Sequence, residues 1–109
     1  MSQNDHSIDR LFATIAARRG ADAGTSYTAQ LLAAGVEKCA KKFGEEAVEA
    51  VIAATARDSK ALTSESADVL YHLLVLWAAT GITPEDVYAV LKSREAQSGL
   101  QEKAARNKA

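Results

Sequence analysis

Apolar residues recur along most of the chain at the three- and four-residue spacing that one face of an α-helix produces. Ile8, Leu11, Phe12 and Ile15 are the first such set. No stretch alternates apolar with polar residues at the period of two that is typical of a half-buried strand. Proline, which interrupts helices, occurs once. The pattern predicts an all-α fold, a bundle of about four to five helices.

Capping and turn residues divide this pattern into segments. Ser7 is placed to cap the first helix, and Gly20 follows its last turn. Thr83 and Pro84 mark the last helix, since a capping hydroxyl followed by proline is a typical helix start. The chain is expected to reverse near Asp58. The predicted helices begin near Ile8 and near Ser26 or Thr28, span 36–56 and about 61–80, and begin again at Pro84.

One predicted helix carries acids where apolar residues dominate. Residues 67–79 are apolar almost without interruption, as in a buried helix. Glu65, Asp68 and His72 fall on one stripe of it, between apolar flanks. Charged groups in such surroundings are paired with opposite charge or bind a metal. Because no Lys or Arg lies between residues 60 and 92, the sequence favours a cation.

A second pair of acids precedes the turn. Glu46 and Glu49 are three residues apart on the preceding helix, and Glu65 and Asp68 repeat that spacing after Asp58. With a helical rise of about 1.5 Å per residue, the two pairs lie at similar distances from the bend. The four carboxylates are therefore expected to converge. Oxygen ligands without a cysteine favour Mg²⁺, with Mn²⁺ as a possible substitute.

A carboxylate-bound Mg²⁺ normally keeps positions open for water and for phosphate oxygens, which suits hydrolysis of a phosphoanhydride. Glu45 could orient or deprotonate the attacking water, or be a plain surface acid. Lys38, Lys41 and Lys42 could meet phosphates, or pair with the acids one turn later. His72 is more typical of a satisfied core histidine than of a ligand.

Length and charge limit the remaining choices. The 109 residues predict one domain, 1–109, and the net charge of -1 gives no reason to expect nucleic acid or a membrane as partner. Cys39, the only cysteine, is expected to be a packing residue in a reducing compartment. The polar N-terminus lacks the layout of a signal peptide, and no apolar run reaches the length of a membrane span. These features predict a cytoplasmic protein.

The apolar helix also predicts an assembly. Residues 69–77 carry more apolar surface than the other helices of one small subunit can cover. We therefore expect a homodimer, or a higher homo-oligomer, in which the helical bundle is completed across the subunit interface.

The order EExxE, followed by ExxD on the next helix, resembles the all-α nucleoside triphosphate pyrophosphohydrolase superfamily, which includes MazG-type enzymes and dimeric dUTPases. Three longer stretches of the sequence resemble the phosphoribosyl-ATP pyrophosphatase family of histidine biosynthesis. The matching stretches are SYTAQLLAAGVEKCAKKFGEEAVE, SADVLYHLLVLWAATGITPEDV and SGLQEKAAR. The resemblance implies a MazG-like fold, a dimer, and Mg²⁺-dependent hydrolysis of 1-(5-phosphoribosyl)-ATP to 1-(5-phosphoribosyl)-AMP and pyrophosphate, the second step of that pathway.

The resemblance also assigns roles by position. It implies metal ligands at Glu46, Glu49, Glu65 and Asp68, and catalytic acids at Glu45, Glu46 and Glu49. It implies substrate-binding cations at Lys41, Lys42, Arg94, Lys103 and Arg106. The family often fuses this domain to a cyclohydrolase, and we expect no such second domain within these 109 residues.

Two other functions remain open at this stage. The same fold could serve a house-cleaning pyrophosphohydrolase acting on canonical or damaged (d)NTPs. A helical dimer could also bind metal without being an enzyme. The carboxylates do not distinguish substrates, so specificity is expected to come from residues 25–32 and the C-terminal tail, by means that the sequence does not reveal.

Overall fold

The computed structural model describes residues 6–95 and Arg106. Helix is the only regular structure in these residues, which confirms the predicted all-α class. The five helices are α1 (Ser7–Ala17), α2 (Tyr27–Ala34), α3 (Val36–Thr55), α4 (Ser59–Thr80) and α5 (Pro84–Arg94).

The first two helices begin with side-chain caps. The predicted Ser7 cap of α1 is wrong, because Ser7 is already helical and His6 Nδ1 accepts the hydrogen bond from the Ile8 amide at 3.1 Å. For α2, Ser26 is the cap of the two candidates, and its Oγ accepts from the Ala29 amide. The Thr28 hydroxyl instead forms a hydrogen bond with the Tyr71 hydroxyl on α4.

Helices α3 and α4 form an antiparallel hairpin around Asp58, which confirms the predicted reversal. Arg57 has a φ of 56°, in the left-handed region, and this allows the tight change of direction. Asp58 Oδ1 then accepts from the Ala61 amide at 3.0 Å. This cap starts α4 at Ser59, two residues before the predicted start, because the first turn forms on Asp58 itself.

The last helix begins as its sequence predicts. Thr83 Oγ1 accepts from the Asp86 amide at 3.2 Å, and Asp86 Oδ2 accepts from the Thr83 amide at 2.9 Å. This reciprocal capping box, with Pro84 as the first helical residue, fixes the start of α5. Gly81, with a φ of 81°, ends α4 just before it in a conformation that favours glycine.

The core lies where three helices, α1, α2 and α3, meet α4. Its buried members come from α1, α2, α3 and α4: Ile15, Leu31, Cys39, Leu74, Val75 and Ala78. Cys39 is only 1% exposed, and its Sγ donates to the Leu31 carbonyl at 3.2 Å. The prediction that Cys39 is a packing residue is therefore confirmed.

Two polar clasps fasten α1 to its neighbours. Arg19, just beyond α1, donates to the Ala78 carbonyl near the end of α4, where helix carbonyls lack intrahelical partners. Tyr88 on α5 donates its hydroxyl to Asp9 Oδ1 at 3.0 Å, and Asp9 is buried. Desolvation, followed by the hydrogen bond to Asp9, raises the pKa of Tyr88 to about 12. The clasps fix α1 against both later helices.

Several large apolar side chains stay exposed on the outer surface. Val48, Val51 and Ile52 of α3 are 59%, 61% and 60% exposed, and Leu70 of α4 is 43% exposed.

Among the described residues, no single helix has the length and apolar content to cross a membrane. Helices α4 and α5 together meet that criterion, with a bend of 112° between them.

Candidate metal centre

Three glutamates converge between the two helices of the hairpin. Glu46 and Glu49 lie one turn apart on α3, and Glu65 faces them from α4. One carboxylate oxygen from each lies within 4.8 Å of the others. Because residues three apart share a helix face, and the Asp58 turn sets the heights of the two helices, the local sequence determines this meeting.

Like charge dominates the electrostatics of the cluster, although Lys42 offsets part of it at Glu49. A side-chain hydrogen bond with Glu46 and the charge of Glu46 raise the pKa of Glu49 above its ordinary value. Glu65 Oε2 is buried and has no hydrogen-bond partner among the described residues. Neighbouring acids and a buried, unpartnered oxygen fit a hard divalent cation such as Mg²⁺ or Mn²⁺.

Asp68, the fourth predicted ligand, is exposed and does not join the group of three. It remains close enough for its charge to contribute to the raised pKa of Glu49. The structure thus brings together three of the four predicted carboxylates, and places Asp68 beside them on α4. The ligand role of Asp68 stays a prediction.

A lysine and a further glutamate lie next to the cluster. Lys42 Nζ is 3.2 Å from Glu45 Oε1, and this hydrogen bond is the main cause that raises the pKa of Lys42. Glu45 therefore has the helix-surface pairing that its sequence also allowed. The pair borders a cavity of about 520 Å³ whose lining also includes cluster members: Lys42, Glu45, Glu46, Val48 and Glu49.

The other predicted substrate-binding cations are spread over the fold. Lys41 is exposed on α3, and Arg94 is the last residue of α5, a helix that packs against α1. Arg106 is exposed, and Lys103 lies outside the described residues. Their roles stay predictions.

A second cavity, of about 540 Å³, lies between α2 and α3. Its lining combines small apolar side chains with an aromatic ring, an amide and two lysines: Ala23, Tyr27, Gln30, Leu31, Ala33, Ala34, Lys38 and Lys42. Lys42 lines both cavities. The sequence analysis named Lys38 as a possible phosphate contact and residues 25–32 as a source of specificity, but it did not single out Tyr27 or Gln30. The four-residue spacing of Lys38 and Lys42, which puts them on one helix face, was the available signal for the lysines.

His72 lies behind this second cavity, one turn after Asp68 on α4. It is 5% exposed, and its ring meets those of Tyr27 and Tyr71 edge to face, with centroids 6.3 and 5.0 Å away. Burial, and then the charge of Lys42, lower the pKa of His72. His72 is a core histidine as predicted, but it is not a satisfied one, because its Nδ1 has no hydrogen-bond partner in the described part of the chain.

An all-helical fold with glutamates converging across an antiparallel hairpin, beside a lysine, places the protein in the class of all-α pyrophosphohydrolases. Within that class, the family model of phosphoribosyl-ATP pyrophosphohydrolase matches residues 8–95. The chain belongs to this family, which confirms the predicted resemblance and the predicted hydrolase class.

Curated relatives extend over nearly the same range. A protein of Parvibaculum lavamentivorans is 62% identical over 106 residues, which cover 97% of each chain. One from Dinoroseobacter shibae is 62% identical over 99 residues, covering 91% of this chain and 97% of its own. One from Paracoccus denitrificans is 60% identical over 99 residues, covering 91% and 92%. Each of these relatives is named phosphoribosyl-ATP pyrophosphatase.

Proposed function

We propose that this chain hydrolyses 1-(5-phosphoribosyl)-ATP between its α and β phosphates, giving 1-(5-phosphoribosyl)-AMP and pyrophosphate in histidine biosynthesis. Membership of the phosphoribosyl-ATP pyrophosphohydrolase family supports the substrate. The observation that carries the chemistry is the meeting of Glu46, Glu49 and Glu65 across the α3–α4 hairpin.

We further propose that these glutamates hold Mg²⁺, or Mn²⁺ in its place, with Asp68 as a fourth ligand. The buried Glu65 Oε2 and the raised pKa of Glu49 support a cation there. When bound, the cation offsets negative charge on the phosphates and favours water as a nucleophile. Because the pKa of Glu49 is raised, binding of the cation and of a proton at Glu49 compete.

The residues around the cluster complete the proposed site. Glu45 is the candidate proton acceptor for the attacking water, and its pairing with Lys42 holds it at the cavity that the cluster borders. Lys42 is well placed for phosphate oxygens because it lines both cavities. Lys41 and Arg94 are proposed to bind phosphates as well. Lys103 and Arg106 have the same proposed role.

The whole chain, 1–109, is proposed to be one domain that assembles as a homodimer. Exposed Val48, Val51 and Ile52, together with Leu70, leave more apolar surface than an isolated subunit needs. Light scattering at micromolar concentration should report at least twice the monomer mass. A strictly monomeric species would contradict the assembly but not the chemistry.

A cytoplasmic location is proposed from the cysteine. Cys39 is a buried thiol, and burial raises its pKa, so it is poorly suited to form disulfides. Such use of a single cysteine fits a reducing compartment. Fractionation of cells with an antibody to this chain should place it with the cytoplasmic enzymes.

The decisive experiment measures pyrophosphate release with Mg²⁺ from phosphoribosyl-ATP, ATP and a panel of dNTPs. We expect phosphoribosyl-ATP to be strongly preferred. Preference for a dNTP would instead indicate a house-cleaning enzyme of the same fold.

A variant pair tests the metal centre in the same assay. Glu49→Gln should lose hydrolysis and weaken Mg²⁺ binding, whereas Glu37→Gln, an exposed acid in the first turn of the same helix, should change neither. Weakened metal binding with hydrolysis unchanged would show that the cation is structural only.

A further inference from the structure

We propose that the cavity between α2 and α3 binds the adenine nucleoside end of the nucleotide, with Tyr27 stacking on the base and His72 positioning Tyr27. This inference rests on the proposed function, because it assigns the part of the substrate that the glutamates do not hold.

The chemistry of the lining suits a base and a ribose. Its volume of about 540 Å³ falls within the usual range of small-molecule sites, and most of the lining is apolar. Tyr27 stays 51% exposed at the cavity although its ring is large and apolar. An aromatic face left open in this way can stack on a base, and the Gln30 amide offers both donors and an acceptor to base edges or hydroxyls.

The cavity shares a lining residue, Lys42, with the cavity that the glutamates border. Lys42 also pairs with Glu45 at the border of the glutamate cluster. Lys38 lies one turn before Lys42, farther from the glutamates and nearer the start of α3. No acid is among the residues that line the α2–α3 cavity. A nucleotide with its phosphates between the lysines and the cation would therefore extend its nucleoside toward Tyr27.

His72 connects this cavity to the rigid core. Its ring lies edge to face with both Tyr27 and Tyr71, and the Tyr71 hydroxyl is hydrogen-bonded to Thr28 on α2. The two contacts attach the start of α2 to α4. The contact between His72 and Tyr27 is one of ring edge against ring face, so the shape of the imidazole is what positions Tyr27.

Steady-state kinetics with phosphoribosyl-ATP test the stacking residue. Tyr27→Ala should raise KM about tenfold or more, the usual size of a lost base–aromatic stack, with kcat changed far less. Tyr27→Phe, which keeps the ring, should stay within about twofold of wild type. Tyr88→Phe, the same chemical change at the α1–α5 clasp, is the matched control. An unchanged KM in Tyr27→Ala would overturn the proposal.

Binding of AMP by calorimetry separates this proposal from the proposed function. AMP carries the base, the ribose and one phosphate but no anhydride, so its binding does not depend on hydrolysis. We expect Tyr27→Ala to weaken AMP binding about tenfold and Glu49→Gln to leave most of it. If wild type fails to hydrolyse phosphoribosyl-ATP but binds AMP through Tyr27, the function is wrong and the subsite stands. Failure of wild type to bind AMP at millimolar concentration overturns the subsite.

Two variants of His72 test its positioning role. His72→Ala should raise KM as Tyr27→Ala does, with Mg²⁺ binding unchanged. His72→Phe restores a ring of similar shape and should bring KM back toward wild type. A merely structural role would lower the melting temperature of His72→Ala without moving KM in the folded enzyme, and that result contradicts positioning. Loss of substrate binding in His72→Phe would also contradict it, because it would show that the imidazole nitrogens are needed.

Discussion

The two halves of α4 show how one helix can provide stability and chemistry separately. Its C-terminal half carries Leu74, Val75 and Ala78, which are 1%, 0% and 6% exposed at the centre of the core. Its N-terminal half carries the partly buried Glu65 and the exposed Asp68, and it faces the glutamates of α3.

Each half of α4 contains one buried polar atom without a partner in the described residues, Glu65 Oε2 in the first half and His72 Nδ1 in the second. In the C-terminal half, Thr80 donates to the Leu76 carbonyl at 2.9 Å, and Arg19 donates to the Ala78 carbonyl. In the N-terminal half, the buried Glu65 Oε2 has no partner among the described residues. Such an atom costs about 1 to 3 kcal/mol. Only Glu65 Oε2 belongs to a group of converging carboxylates, so the N-terminal half is the one that we expect to bind a ligand.

The largest expected effect on stability comes from the C-terminal half of α4. Leu74→Ala removes a fully buried side chain and should lower the free energy of unfolding by about 2 to 5 kcal/mol, measured by chemical denaturation. Leu91→Ala, at a position 55% exposed on α5, is the matched control and should cost far less. Equal losses would show that the core does not centre on α4.

Glu65→Gln, in the N-terminal half of α4, should reduce activity and leave stability intact. Pyrophosphate release should fall about 100-fold or more, since a lost metal ligand removes several kcal/mol of transition-state stabilisation. The free energy of unfolding without metal should stay the same or rise, because a charge beside Glu46 and Glu49 is removed. Loss of stability comparable with that of Leu74→Ala would show that the two halves are not separate.

The fold could be predicted where the signals are local. Thr83, Pro84 and Asp86 define the start of α5 within four residues, and Asp58 marks the hairpin turn. The cap of α1 could not be predicted in this way, because histidine is an uncommon cap. His6 Nδ1, rather than the usual hydroxyl of Ser7, meets the first amide in a local, exposed contact.

In the candidate site, too, the local features could be predicted from the sequence and the long-range contacts could not. Helical geometry alone brings Glu46 and Glu49 together, and the hairpin adds Glu65. The α2–α3 cavity depends on how Tyr27 packs against His72, 45 positions later in the chain. No periodicity in the sequence encodes that contact, so the cavity could not be predicted.

Tyr88→Phe tests the polar contact between α5 and α1, away from the glutamate cluster. The loss of the hydrogen bond to the buried Asp9 should cost about 1 to 3 kcal/mol of unfolding free energy. Because the pKa of Tyr88 is raised from 10.0 to about 12, the folded state favours the protonated phenol. Wild-type stability should therefore decline as the pH rises from about 10 through 12. Unfolding curves over this range should lack that decline in Tyr88→Phe, and an identical decline would exclude Tyr88 as its cause.

Asp58→Ala should have the smallest effect on the free energy of unfolding. Asp58 lies at the start of α4, so this variant disturbs the N-terminal half of the helix and not the packed C-terminal half. The side chain caps only the first turn of α4, so its loss should cost about 0.5 to 2 kcal/mol, and Asp58→Asn, which keeps a capping oxygen, should cost less. Hydrogen exchange should speed up at Ala61 and Leu62 and stay unchanged at Leu74, because fraying at a helix end remains local when the packed half is intact. Because Glu65 lies only about 10 Å along the helix from Asp58, the loss in the free energy of Mg²⁺ binding should exceed the loss in the free energy of unfolding. Uniformly faster exchange along α4 would mean that the helix unfolds as one unit, and the division between its two halves would then be wrong.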